Sequence, residues 1–159
     1  MILVSACLLN QPVRYKGDGN PCQLLLEAVG QGCGEQLLLF CPEVAGGLTT
    51  PRPPAEIQGG TGADVLQGTA SVMNKIGEDV TVAFVEGAQK CAALCQEKGI
   101  TVAILKQRSP SCGSKAIYDG SFCGKTIDGQ GVTTALLTSI GVKVYGEDDL
   151  TPELLDKLL

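Results

Sequence analysis

Short apolar runs alternate with helix-like segments along this chain, and the alternation limits the possible folds more than any other feature. The apolar runs are MILVSAC at residues 1–7, EQLLLFCP at 35–42, GITVAILK at 99–106 and VKVYG at 142–146. Strands that alternate with helices typically form a parallel sheet with helices on both faces. We therefore predict an α/β fold in a single domain that spans residues 1–159.

Helix signals fall between and after these runs. We predict helices over residues 21–32, with Asn20 as N-cap and Pro21 in the first turn, and over residues 79–98. A third helix begins near Gly131. The closing TPELLDKLL is predicted as a helix with Thr151 as N-cap and Pro152 at its first position.

The segment between the second run and the long helix is rich in glycine and proline. Its clustered prolines and glycines exclude a continuous helix. Short strands at AEIQ (55–58) and DVLQG (64–68) around GGTGA predict a small β-hairpin insertion.

Composition excludes several classes of function. The net charge of −5 comes without any basic block, so we expect no nucleic-acid binding. No stretch reaches the ~18 apolar residues of a membrane span, and the N-terminus lacks the basic region of a signal peptide. A cytoplasmic protein is expected. Histidine is absent, which excludes histidine bases, histidine-ligated zinc and Cys–His nucleophiles.

Three cysteines follow strand-like runs: Cys7, Cys41 and Cys112. The carboxyl ends of parallel strands meet at one edge of a sheet, where ligands bind, so neighbouring strands would bring these thiols together. The alternative is that they are small buried hydrophobic residues. That alternative is our interpretation for the other five cysteines, which we predict to be packing or surface residues: Cys22, Cys33, Cys91, Cys95 and Cys123.

Three convergent thiols without histidine suit a soft metal centre. Structural zinc normally takes four ligands, whereas a cubane [4Fe–4S] cluster can be held by three thiolates and keep one iron open as a Lewis acid. Gly46, Gly47 and Gly113 follow two of the cysteines. They are expected to let backbone N–H groups turn toward cluster sulfides or an anion.

Four ordered motifs extend this interpretation over nearly the whole chain: VSACLLNQPVRYKGDG, CPEVAGGLTTPRPPAEI, SPSCGS and YDGSFCGKTIDGQGVTTALL. Together they resemble the domain of unknown function 523 family, which includes thiouracil desulfidases. The resemblance implies a Rossmann-like α/β domain and a [4Fe–4S] cluster on Cys7, Cys41 and Cys112. Many members have a further cysteine in the VRY stretch where this chain has Val13, which favours an open iron.

The resemblance implies the non-redox removal of sulfur from a thiolated nucleobase such as thiouracil. The open iron would polarise the C–S bond, water would attack the ring carbon, and sulfur would leave onto the iron as hydrosulfide. The expected partner is therefore a small-molecule thiolated nucleobase. The protein itself is expected to be a monomer or small homo-oligomer.

Such a reaction needs a group that moves protons beside the attacked carbon. Glu43, two residues after Cys41, is the first candidate, and a partly desolvated position would raise its pKa. Ser109 could orient water or the pyrimidine carbonyl, with Ser111 and Ser5 as substitutes. Arg52 and Arg14 lie in loops from which they could pair with Glu43 or a base edge. Tyr118 and Phe122 could flank a flat base.

Two other classes of protein stay open at this point. A non-catalytic iron–sulfur or sulfide-sensing protein would bind the cluster but release no sulfide from thiouracils. A plain folded domain with inert thiols would bind no metal at all. Radical S-adenosylmethionine enzymes are excluded, because their three cysteines cluster in one short motif.

Overall fold

The computed structural model describes all residues from 1 to 159. Its strands are β1 (Ile2–Ser5), β2 (Leu37–Phe40), β3 (Ala55–Gln58), β4 (Ser71–Asn74), β5 (Val102–Leu105), β6 (Ala116–Tyr118), β7 (Thr126–Asp128) and β8 (Lys143–Gly146). Its α-helices are α1 (Gln23–Gly30), α2 (Pro42–Ala45), α3 (Gly62–Gln67), α4 (Thr81–Lys98), α5 (Val132–Ser139) and α6 (Pro152–Leu158). Short 3₁₀ turns lie at Ala6–Leu9, Cys33–Gln36 and Glu147–Asp149.

The four predicted strands form the central sheet, in the order β2-β1-β5-β8. Every neighbouring pair is parallel. The predicted α/β fold with a parallel sheet is therefore confirmed. Two small antiparallel pairs, β3–β4 and β6–β7, lie outside this sheet.

Side chains along the central strands alternate between two apolar cores. Leu3, Ala103 and Leu105 pack with residues of α4 and α5 on one face. Ile2, Val4 and Ile104 pack on the other face, with residues of α1 and α6. Because both faces of these strands are buried, the strands consist of unbroken apolar runs, and the predicted helices on both faces are confirmed.

The helix limits differ from the predictions mainly at the starts. Helix α1 begins at Gln23 with Cys22 as N-cap, so Asn20 and Pro21 precede it rather than start it. Helix α4 begins at Thr81, two residues later than predicted. The closing helix agrees with the prediction: Thr151 caps it by accepting the Leu154 N–H at 3.1 Å, and Pro152 is its first residue.

The β-hairpin insertion exists, but its predicted second strand is wrong. Strand β3 pairs with β4, whereas DVLQ lies in helix α3 between them. Asp64 accepts the Thr61 N–H at 2.8 Å and so caps this helix. The Thr-x-x-Asp spacing is a local helix-start signal, which the surrounding glycines obscured.

The strand order determines where a site can form. Strand β2 lies on one side of β1 and β5 lies on the other, and the chain leaves β5 toward β8. The connections that follow β1 and β5 therefore diverge, and a crevice opens at the carboxyl ends of these strands. No helix of the structure is long and apolar enough to cross a membrane.

Candidate active site

A cavity of about 470 Å³ opens at this carboxyl edge. It is lined by all five residues predicted to form the site: Cys7, Cys41, Glu43, Ser109 and Cys112. The three cysteines are separated by 34 and 71 residues in sequence, since they stand at positions 7, 41 and 112. Only the parallel arrangement of β1, β2 and β5 brings them to one cavity.

Cys7 lies in the 3₁₀ turn that follows β1 directly, and its side chain is buried. Burial, together with the nearby Cys41, raises the pKa of the Cys7 thiol to about 11. Without a bound cation the thiol is therefore neutral at physiological pH. A metal centre is the partner that converts such a thiol to a thiolate.

Cys41 is the residue that joins β2 to α2, and it is the N-cap of that helix. Burial raises the pKa of its thiol. The Cys41 Sγ lies 4.0 Å from the Val13 carbonyl oxygen, in the loop that follows β1. Val13 itself lines the cavity.

Cys112 lies in the loop that follows β5 and is only 5% exposed. Burial raises the pKa of its thiol, while a hydrogen bond from Ser5 lowers it. The loop is held from within: the Gln107 side-chain carbonyl accepts the N–H groups of Ser114 and Lys115. The SPSCGS motif is thus a tightly hydrogen-bonded loop that presents one thiol to the cavity.

The chemistry of these donors fits a cluster better than a single metal ion. Each thiol influences another: Cys41 raises the pKa of Cys7, and both raise the pKa of Cys112. Yet no three His, Cys, Asp or Glu side chains lie close enough together to hold one metal ion. A cluster spreads its thiolate ligands over several iron atoms, which suits three cavity-lining thiols that do not meet at one point.

Glu43 lies in the first turn of α2 and lines the same cavity. Its side chain is 17% exposed, and its carboxylate contacts Arg52 at 3.2 Å. Burial raises the pKa of Glu43, whereas Arg52 and the Ser109 hydroxyl lower it, and the net shift is upward. The direction of this shift agrees with the rise expected from the sequence.

Arg52 holds Glu43 in place. Its guanidinium donates to Glu43, to the Val13 carbonyl at 2.9 Å and to the Thr49 carbonyl at 3.1 Å. The side chain is 7% exposed. Arg52 therefore joins the loop after β1, the helix after β2 and the proline-rich segment, and its pairing with Glu43 was anticipated. Arg14 lines the cavity but pairs with Asp18 at 3.3 Å.

The three serine candidates have different surroundings. The Ser109 hydroxyl oxygen accepts the N–H groups of Ser111 and Cys112, each at 3.1 Å, and the hydroxyl also stabilises the Glu43 carboxylate. Ser111 is fully buried, bonds Thr133 at 2.8 Å and does not line the cavity. Ser5 lines the cavity and accepts the Lys106 N–H at 3.0 Å. Ser111 is therefore a packing residue.

The expectation for the glycines is wrong. The N–H groups of Gly46, Gly47 and Gly113 donate to the carbonyls of Pro42, Val44 and Ser109, so they do not face an anion. Gly46 and Gly113 matter for space instead, whereas Gly47 has open space around it and a φ of 95° that favours glycine. A Cβ on Gly113 would lie 2.5 Å from the Ala116 carbonyl oxygen.

Two aromatic residues were expected to flank a flat base, and both line the cavity: Tyr118 and Phe122. Lys106 also lines it and pairs with Glu147. Lys106 was missed because a lysine directly after a buried strand looks like an ordinary strand end. Its position at a carboxyl strand end was the available signal.

The remaining cysteines behave as predicted. Cys91 and Cys95 are buried in the core between α4 and the sheet. Cys22 and Cys33 are partly buried against the opposite core, and Cys123 is exposed. None of these five lines the cavity, so the cavity offers three thiols and no fourth.

Comparison with known proteins places this geometry in a family. The model of the 2-thiouracil desulfurase family matches residues 2–149. The chain belongs to this family. The uncharacterized protein YbbK of Bacillus subtilis (strain 168) is 47% identical over 150 residues, which cover 94% of this chain and 97% of YbbK.

A solved structure of the family agrees in fold as well. The [4Fe-4S]-dependent thiouracil desulfidase TudS is 48% identical to this chain, with a TM-score of 0.83. The match covers 99% of this chain and 96% of that one. The family resemblance and the Rossmann-like fold expected from the sequence motifs are confirmed.

Proposed function

We propose that the protein is a thiouracil desulfidase that uses a [4Fe–4S] cluster held by Cys7, Cys41 and Cys112. The observation that carries this proposal is that three thiols, a largely buried carboxylate and a serine line one cavity. The similarity to TudS over nearly the whole chain supports both the reaction and the cofactor.

The cluster, when bound through three thiolates, supplies a Lewis-acidic iron with affinity for the soft sulfur of a thione. Because the cavity has no fourth cysteine and the chain has no histidine, no protein ligand of the usual kind competes for that iron.

We propose a hydrolytic reaction: the thione carbon and one water give the carbonyl product and hydrogen sulfide, with no change in redox state. Glu43 takes a proton from the attacking water and returns it to the sulfur. A pKa raised by burial makes this carboxylate a better proton acceptor than an exposed glutamate. Arg52 and Ser109 fix the carboxylate, and in this proposal Ser109 also orients water or the pyrimidine carbonyl.

The cavity suits a small flat substrate. Its volume of about 470 Å³ is within the usual range for small-molecule sites. Tyr118 and Phe122 offer aromatic surface for a planar ring. A thiolated nucleobase is therefore the proposed substrate class.

The proposed location is the cytoplasm. All eight cysteines are free thiols, which agrees with a reducing compartment.

The test is anaerobic reconstitution with iron and sulfide, followed by measurement of sulfide released from 4-thiouracil and 2-thiouracil. We expect the wild type to bind about four irons and release sulfide. Cys112→Ala should lose iron, Glu43→Ala should keep iron but lose at least ~100-fold in turnover, and Cys123→Ala is the matched control that should keep both.

Two results would contradict the proposal. A reconstituted protein that holds iron but releases no sulfide would be a non-catalytic iron–sulfur or sulfide-sensing protein. A protein that binds no iron would leave Cys7, Cys41 and Cys112 as buried packing residues.

A further inference from the structure

Glu56 is a second carboxylate in the cavity, and the proposed reaction does not use it. It lies on β3, at the end of the CPEVAGGLTTPRPPAEI motif, whose Cys41 and Glu43 also line the cavity. The residue is only 8% exposed. No lysine or arginine pairs with it. A buried carboxylate without a cation calls for an explanation.

One oxygen of Glu56 is occupied. Oε1 accepts the backbone N–H groups of Gly120 at 2.9 Å and of Phe122 at 3.2 Å. Both donors lie in the loop that joins β6 to β7, where Gly120 and Phe122 have φ angles of 91° and 57°. Glu56 thus holds a strained turn that carries the Phe122 side chain to the cavity.

The other oxygen, Oε2, has no hydrogen-bond partner in the protein. It is not sealed in the interior either, because the protein contains no fully buried side-chain oxygen or nitrogen without a partner. Glu56 lines the cavity, and Oε2 is the carboxylate oxygen that has no protein partner and is left available to a ligand there.

We propose that Glu56 determines substrate specificity by accepting a ring N–H of the thiopyrimidine through Oε2. This inference rests on the proposed desulfidase function and names the group that recognises the ring N–H of the substrate. In its thione form, thiouracil carries ring N–H groups at N1 and N3, which are donors that a carboxylate oxygen accepts well. Tyr118 and Phe122 contact the faces of the ring, and Glu56 contacts its rim.

Glu56→Gln is a sharp probe of this assignment. The two loop N–H groups require an acceptor, so the amide oxygen of Gln takes the place of Oε1 and the amide NH₂ faces the cavity. That NH₂ is a donor opposite a ring N–H, which is also a donor. The loop stays anchored while the substrate contact is lost.

The experiment compares kcat/KM for 4-thiouracil, 1-methyl-4-thiouracil and 3-methyl-4-thiouracil in reconstituted wild type and Glu56→Gln. In the wild type, methylation of the nitrogen that Glu56 reads should lower kcat/KM by about tenfold or more. In Glu56→Gln, the unmethylated substrate should lose about tenfold, mainly through a higher KM. The preference over the methylated analogue should then largely disappear.

Gln58→Ala is the matched control. Gln58 donates to the Gly120 carbonyl and so anchors the same loop, but it does not line the cavity. A purely structural effect of the loop would change the kinetics of all three substrates together and leave their ratios intact. We expect that pattern in Gln58→Ala and not in Glu56→Gln.

The outcomes separate this inference from the function on which it rests. If the wild type releases sulfide but treats all three substrates alike, or if Glu56→Gln keeps the wild-type preference, Glu56 does not read the ring. If the wild type releases sulfide from none of them, the desulfidase function fails and the inference fails with it.

Discussion

At the scale of single residues, the site depends on an oppositely charged pair that is largely shielded from solvent. Glu43 and Arg52 are 17% and 7% exposed in their side chains. Arg52 also donates to two backbone carbonyls. Removing one partner of such a pair leaves the other charge buried, which costs far more than the loss of a surface pair. Arg52 is therefore both a structural and a positioning residue.

Replacing Arg52 by Met should destabilise the cluster-free protein by about 3 kcal/mol, because Glu43 loses its cation and two carbonyls lose their donor. The measurement is urea unfolding monitored by circular dichroism. Arg14→Met is the control: Arg14 and Asp18 have side chains 28% and 50% exposed, so we expect a loss below about 1 kcal/mol. Equal losses in the two variants would contradict the role given to Arg52.

At the scale of elements, α2 carries Glu43 and follows Cys41, so its position sets part of the site. It packs on α4 through two glycines. A Cβ on Gly46 would lie 2.0 Å from the Ala83 carbonyl oxygen, and a Cβ on Gly87 would lie 2.0 Å from the Pro42 carbonyl oxygen. Both contacts are with backbone, which cannot move aside without shifting a helix.

Two effects of opposite sign meet in Gly87→Ala. Helix propensity alone would stabilise α4 by about 1 kcal/mol. The close contact with Pro42 should outweigh this gain in stability, because overpacking costs about 1–3 kcal/mol and pushes α2 away from α4. We expect net destabilisation in thermal unfolding, with reduced sulfide release. Gly30→Ala in α1 has open space around its Cβ and should be neutral or stabilising. A stabilised, fully active Gly87→Ala would show that α2 does not need this contact.

At the scale of the whole molecule, the three proposed ligands come from segments that only the folded chain brings together. Cys7 follows β1, Cys41 follows β2 and Cys112 follows β5. A group that binds all three therefore binds the native state and not the unfolded chain, so binding stabilises the fold.

Reconstitution should raise the free energy of unfolding by about 4 kcal/mol if the cluster is present at ~1,000 times its dissociation constant. The measurement is anaerobic thermal unfolding with and without the cluster. Cys123→Ala should show the full gain, because Cys123 is exposed and outside the cavity, while Cys112→Ala should show little. An equal midpoint for the wild type with and without iron would contradict a cluster on this trio.

Local features of the sequence predicted most of the central strands and helices of this protein. The apolar runs predicted the four central strands, and Thr151 with Pro152 predicted the start of α6. The spacing of Thr61 and Asp64 is also a local signal for the start of α3, although the nearby glycines obscure it. Signals of this kind depend on neighbours a few residues apart, which is why they can be read without the fold.

The residues alone are enough to predict an α/β chain with a parallel sheet, three cysteines just beyond strand ends, and no histidine that could replace them as a metal ligand. The folded chain is needed to show that Ser111 packs against Thr133, that the glycine amides are already bonded, and that Glu56 keeps one oxygen without a protein partner. Those outcomes depend on contacts between residues tens of positions apart. The periodicity of a sequence predicts which face of its own helix or strand a side chain lies on. It does not predict which residue from elsewhere in the chain that side chain will contact.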